Sequence, residues 1–212
     1  FGTRRVPMES GYYEVYNQKN VQLIDLMKTP FRRINRTGIE TTSANFEFDI
    51  IIYATGFDAI VGSFSSMDIR GRKEIKLKDR WANGPVTYLG LQSPGFPNLF
   101  TLVGPHNAST FCNIPRCIEQ NVEWVSELLS HMLVKGYESV EATQGAADAW
   151  MAHSEEMVSM TLIPKTDSWF MNVNENLPEK KRTFLAYAGG APRYRQKCDE
   201  VSSTGYAGFE FT

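Results

Sequence analysis

The sequence predicts an α/β fold, and three stretches carry that prediction. The first is Phe48–Ala59, F-D-I-I-I-Y-A-T-G-F-D-A. Ile50, Ile51, Ile52 and Tyr53 form a short apolar run without polar alternation, the pattern of a strand buried on both faces of a parallel sheet. Ala54, Thr55 and Gly56 follow at once. Small residues at that edge of a strand let the backbone approach a ligand closely. By pattern alone, the same residues also suit a strand that simply ends in a glycine turn. The second stretch, Pro97–Pro105, repeats the plan with a buried strand closed by Gly104-Pro105. The third is a helix over Pro115–Lys135. Asn113 is its N-cap, Pro115 sits in its first turn, and Gly136 stops it. Ile118, Val122, Val125, Leu129 and Met132 supply the apolar stripe.

The other elements follow in order. Gly11 to Asn17 reads as a helix end or an extended loop. Val21–Asp25, Phe31–Asn35 and Ile39–Thr42 are short strand candidates, and Arg36-Thr37-Gly38 supplies a turn, so a small meander leads to the Ile50 run. From Phe57 to Pro94 the chain is rich in glycine and reads as loop. A second long helix, Val140–Leu162, ends before Pro164. A loop through Trp169, a strand near Thr183–Tyr187, a helix from about Pro192 and an extended tail, Gly208–Thr212, complete the chain.

Composition bounds the function. The 212 residues are 42% hydrophobic and 22% charged, as in a globular protein. A net charge of −2 argues against a nucleic-acid surface, which needs a basic face. No apolar run approaches the ~20 residues of a membrane span, and no signal peptide is visible. Cys112, Cys117 and Cys198 lack C-x-x-C spacing, so no metal site is expected, and reduced thiols in a cytoplasmic protein are. Phe1-Gly2-Thr3-Arg4-Arg5 reads like the inside of a domain, so a piece of a longer protein is expected.

Ordered motifs run through the chain: F-G-T-R-R at Phe1–Arg5, G-Y-Y-E-V-Y-N at Gly11–Asn17, A-T-G-F-D-A at Ala54–Ala59 and D-I-R-G at Asp68–Gly71. They continue with W-A-N-G-P-V-T-Y-L-G at Trp81–Gly90, P-G-F-P-N-L-F at Pro94–Phe100, I-E-Q-N-V-E-W-V at Ile118–Val125 and S-W-F at Ser168–Phe170. In this set and order the chain resembles the C-terminal part of a Baeyer–Villiger monooxygenase, a class B flavin monooxygenase. The resemblance implies the C-terminal portion of a flavoprotein with two Rossmann-like dinucleotide-binding domains. Residues 1–48 would end the NADPH domain, 49–54 would be a linking strand, and 55–212 would belong to the FAD domain. No G-x-G-x-x-G occurs here, so the main pyrophosphate cradles would lie upstream in the same protein.

The resemblance also implies site residues. Adjacent Arg4 and Arg5 are, by spacing alone, a solvated pair. By resemblance, Arg5 is the catalytic arginine that stabilises negative charge on the oxygenated flavin and the ketone adduct, and Arg4 pairs with the 2′-phosphate of NADPH. Ala54 and Thr55 fall at the cofactor. A helix start carries free N–H groups and partial positive charge, so Asn113 and Ile114 suit the electron-rich edge of a flavin, with Ile114 acting through its backbone. Ser109, Thr110, Phe111 and Ile114 would line the substrate pocket, and Phe111 would limit ketone size. Trp169 is core or interface by type; by resemblance its indole N–H meets the nicotinamide cofactor. His106 reads as a solvated loop histidine, not a base. His131, His153, Trp124 and Trp150 are assigned no chemistry, and Glu119, Glu123 and Glu127 form a solvated face. The implied activity is oxidation of a ketone to an ester or lactone with FAD, NADPH and O2. A sulfide or amine oxygenase of the same class, or a non-catalytic module when separated from the upstream domains, are the alternatives.

Overall fold

The computed structural model describes residues 3, 6–107, 112–174 and 181–212. They form two compact units, Val6–Gly56 and residues from Phe57 onward.

In the first unit a short helix, α1 (Tyr12–Val15), precedes an antiparallel meander of β1 (Phe31–Ile34), β2 (Gly38–Thr41) and β3 (Asn45–Glu47). The β1–β2 turn closes because Asn35 Oδ1 accepts from the Thr37 and Gly38 N–H groups, each at 2.9 Å. Asparagine side chains favour this local bond over regular structure. Val21–Asp25 forms no strand. Neither do Ile50–Tyr53, the expected linking strand. Their backbone finds no ladder partner among the described residues, and Ile50 and Ile52 are 78% and 84% exposed. A parallel strand needs neighbours on both sides.

In the second unit, α2 (Gly62–Ser66) and α3 (Leu77–Arg80) lead into a turn-rich segment and then α4 (Ile114–Lys135), whose caps are those expected, Asn113 and a left-handed Gly136. The buried face of α4 is Cys117, Gln120, Asn121, Trp124, Leu128 and Met132. Of the expected stripe, only Met132 belongs to it; Ile118, Val122 and Leu129 stay exposed. α4 carries two apolar faces side by side, and the one holding tryptophan meets the core, where Trp124 Nε1 donates to Cys198 O at 2.9 Å. The expected second helix is divided. Val140–Ala142 is β4, paired antiparallel with β5 (Phe209–Phe211). Thr143 caps α5 (Gln144–Ser159) by accepting from Ala146 N. The last helix, α6, spans Ala191–Ser203.

Two other expected strands are absent. Pro97–Val103 is a run of turns: Asn98 and Val103 have positive φ. Asn98 and Gln92 substitute for a neighbouring strand, bonding β4 on the edge away from β5. Thr183–Tyr187 is buried but forms no strand; its N–H groups bond Met171, Phe170 and Asn107 in turn.

Candidate functional site

The base of the loop that enters α4 is a buried polar network. Asn107 Nδ2 donates to Asn121 Oδ1 (2.9 Å) and Tyr194 Oη (2.7 Å). Asn121 Oδ1 also accepts from Val103 N (3.0 Å), and its Nδ2 donates to Gln120 Oε1 (2.9 Å). Tyr194 Oη donates to Leu89 O at 2.7 Å. The network joins the segment before the loop, the second turn of α4 and the start of α6. Burial pushes the Tyr194 hydroxyl well above its ordinary value, so it stays protonated and donating. Cys198, also buried, is pushed to about 12 and is no nucleophile.

His106 belongs to the same base, and here the structure corrects the expectation of a solvated ring. It is 1% exposed. Its Nε2 lies 3.0 Å from Phe184 O and its Nδ1 3.0 Å from Thr87 Oγ1. A carbonyl only accepts, so Nε2 carries the proton. Burial lowers the pKa to about 4 against the opposing Phe184 carbonyl. The imidazole is a neutral strut between two segments.

The start of α4 leaves one donor open. Pro115 has no N–H. The Arg116 N–H goes to Asn113 Oδ1 (3.5 Å) and the Cys117 N–H to Asn113 O (3.2 Å). The Ile114 N–H meets no acceptor among the described residues. Beside these first turns runs a cleft of about 480 Å³ between α4 and α6, lined by Arg116, Gln120, Tyr194, Arg195 and Asp199. Two helix starts and two arginines give it a positive character that suits an electron-rich ligand edge.

Cys112 and Cys117 line that cleft too, and they are joined as a disulfide, not free as expected, across the Asn113 cap of α4. Cys198 remains free.

The sequence-predicted residues are only partly gathered. Asn113 and Ile114 stand at the open helix start. Trp169 begins a single helical turn, Trp169–Met171, with its ring 4.0 Å from that of Phe170 and its indole N–H unpaired among the described residues. Ala54 and Thr55 are exposed and belong to the Val6–Gly56 unit. Arg4, Arg5, Ser109, Thr110 and Phe111 lie outside the described residues. Sequence reasoning missed Asn107, Gln120, Asn121, Tyr194 and Arg195. The signal was present in Gln120-Asn121, two amides between Cys117 and Trp124 on the face that would otherwise be wholly apolar. Among the described residues no cluster of ligating side chains could hold a metal, and no helix is long and apolar enough to cross a membrane.

The class this defines is a mixed helix-and-strand domain with an anion-favouring helix start above a fixed polar base. No protein-family model matches the chain. Among curated proteins, it is 45% identical over 212 residues to the 2-oxo-Δ3-4,5,5-trimethylcyclopentenylacetyl-CoA monooxygenase of Pseudomonas putida, covering 99% of this chain and 39% of that protein. It is 41% identical to the acetone monooxygenase (methyl acetate-forming) of Gordonia sp. strain TY-5, again over 99% of this chain and 39% of the relative. It is 40% identical to a Baeyer–Villiger monooxygenase of Pseudooceanicola batsensis, over 93% and 36%. The crystal structure of OTEMO in complex with FAD and NADP superposes on all of this chain, and on 39% of that one, with TM-score 0.89 at 45% identity. The closed crystal structure of cyclohexanone monooxygenase gives TM-score 0.90 at 37% identity, over 99% and 39%. The chain is a homologue of the Baeyer–Villiger monooxygenases. It spans about two fifths of their length and has the fold of that part, consistent with a C-terminal portion.

Proposed function

We propose that the chain works as the C-terminal part of an FAD-containing, NADPH-dependent Baeyer–Villiger monooxygenase that uses O2 to turn ketones into esters or lactones. In this reading residues 1–48 close the NADPH domain, 49–54 link, and 55–212 belong to the FAD domain. The observation that carries it is the open Ile114 N–H at the start of α4, in a chain that matches these oxygenases from end to end. The donor set fits the carbonyl edge of a flavin ring. It does not include a pyrophosphate grip, since the chain has no G-x-G-x-x-G.

When bound, FAD reduced by NADPH supplies the activation of O2. This chain's residues then position and stabilise. The Ile114 N–H and the α4 dipole hold the electron-rich ring edge. Arg5, charged at any working pH, stabilises the oxyanion that develops on the ketone by fixed electrostatics and not by proton transfer. Arg4 pairs with the 2′-phosphate of NADPH. Ala54 and Thr55 approach the cofactor by backbone. Ser109, Thr110, Phe111 and Ile114 enclose the ketone, and the Trp169 indole N–H donates to the nicotinamide cofactor.

The test is made in the protein at the full length of its relatives. It should purify yellow, consume NADPH when given cyclic ketones, and release lactones measured by gas chromatography–mass spectrometry, with sulfides in the same panel. Ile114→Pro removes one N–H at a position where proline keeps a helix intact. A hydrogen bond to a charged group is worth about 1.5 kcal/mol or more. The variant should therefore turn over roughly tenfold more slowly and lower the flavin midpoint potential. Unchanged turnover and potential would remove Ile114 from the site. Absence of both bound flavin and ketone conversion would overturn the function.

A further inference from the structure

We propose that this chain has a second small-molecule site, lined mainly by α5 and residues 161–184 and bordered by His106, that takes an amphipathic carboxylate with a medium-length apolar body. It rests on a cleft of about 510 Å³ between α5, the turn Ile163–Lys165 and residues 181–184, and not on the oxygenase reading. That volume lies within the ~300–1,000 Å³ of ordinary ligand pockets.

The cleft is graded from apolar to cationic. Its floor is Val158, Met171 and Phe184, members of a buried apolar cluster that also holds Ile163 and Phe170. Met151 forms one wall. Its mouth carries Lys165, Lys181 and Arg182, against the single carboxylate of Glu155. Arg182 is held in place: Nη2 donates to Pro164 O (2.7 Å) and Thr166 O (2.9 Å), and Nε to Asp167 (3.3 Å). Lys165 and Lys181 form no ion pair among the described residues, so both ammonium groups are available to an external anion. Ser154 also lines the cleft, and its Oγ is buried without a hydrogen-bond partner. Buried hydroxyls are nearly always paired, so Ser154 marks a point in the cleft lining where polar satisfaction is incomplete among the described residues.

An apolar body on the floor would place an anionic head at the lysines. A neutral alcohol of equal length would gain the floor alone, and an amine would be repelled at the mouth.

The experiment is titration calorimetry of the full chain with decanoate, 1-decanol and decylamine, at low salt and neutral pH. Decanoate should bind saturably at one site, and more tightly than the other two. Lys165→Glu with Lys181→Glu, exposed positions that leave the fold intact by circular dichroism, should weaken decanoate about tenfold or more, the scale for losing close charge pairs. Met151→Trp should abolish binding by filling the cleft. Three results would each overturn the proposal: no saturable decanoate binding, equal binding of 1-decanol, or an unchanged affinity in the double charge-reversal variant.

Discussion

Replacing His106 with glutamine should flatten part of the acid sensitivity of this fold. The ring is fully buried, and burial holds its pKa near 4 where an exposed histidine titrates at 6.5. A group with a lowered folded pKa that is neutral when deprotonated favours the folded state above its unfolded value. The contribution is complete above pH 6.5 and is lost as pH falls toward 4, because the unfolded chain takes up the proton first. The gap between the two values corresponds to about 3 kcal/mol. The hydrogen bonds survive protonation: Nε2–H keeps Phe184 O, and the Thr87 hydroxyl can turn to accept from Nδ1 while donating to Pro105 O at 3.1 Å. What costs free energy is therefore the buried charge itself. Glutamine can reach Phe184 O and does not titrate. Urea denaturation followed by tryptophan fluorescence, from pH 7.5 to 4, gives the stability of both chains. Surface carboxylates and His153 titrate alike in both and cancel in the difference. The advantage of the parent over His106→Gln should shrink by roughly 3 kcal/mol across that window. A difference independent of pH would refute the assignment of His106 as a neutral strut.

Asn121→Leu should destabilise the fold by about 2–4 kcal/mol, because it leaves the Val103 N–H and Asn107 Nδ2 buried without their shared acceptor; chemical denaturation of the two chains measures it. Gly90→Ala and Gly136→Ala form a matched pair, since both glycines have positive φ, 66° and 73°. At Gly136 an added Cβ meets open space, and the cost should be about 1 kcal/mol from backbone conformation alone. At Gly90 it would lie 2.7 Å from Asn107 N and Pro105 O, so the loss should be clearly larger and should disturb the base of the loop. Equal costs at the two positions would contradict this packing.

What was legible in the sequence was local. α4 and its caps could be read because Asn113, Pro115 and Gly136 act through bonds and dihedrals within a few residues. The β1–β2 turn could be read for the same reason. The strands at Ile50–Tyr53 and Pro97–Val103 could not be judged from their own residues, since a strand exists only where another backbone pairs with it. The buried face of α4 was misjudged because two apolar faces lie side by side, and periodicity does not say which of them meets Trp150, Tyr194 and Phe209. The motifs pointed to Ile114 and Trp169, but the amides and the tyrosine that tie the segment ending at Asn107 to α4 and α6 come from positions 107, 121 and 194, and only the fold brings them together.

The segment Tyr88–Asn107 shows why such a base is needed. Leu89, Asn98, Val103 and His106 all have positive φ, between 55° and 63°. For a β-branched residue such as Val103 this is an outlier, and each instance costs on the order of 1–2 kcal/mol. Every one is held by a bond from elsewhere: Leu89 O by Tyr194, Asn98 N by Val140 O, Val103 N by Asn121, and His106 N by Leu185 O. These contacts come from four other parts of the chain, so the backbone conformation is over-determined and no single local fluctuation relaxes it. Asn107, held by Asn121 and Tyr194, and the capped start of α4 are thereby two fixed points of the fold.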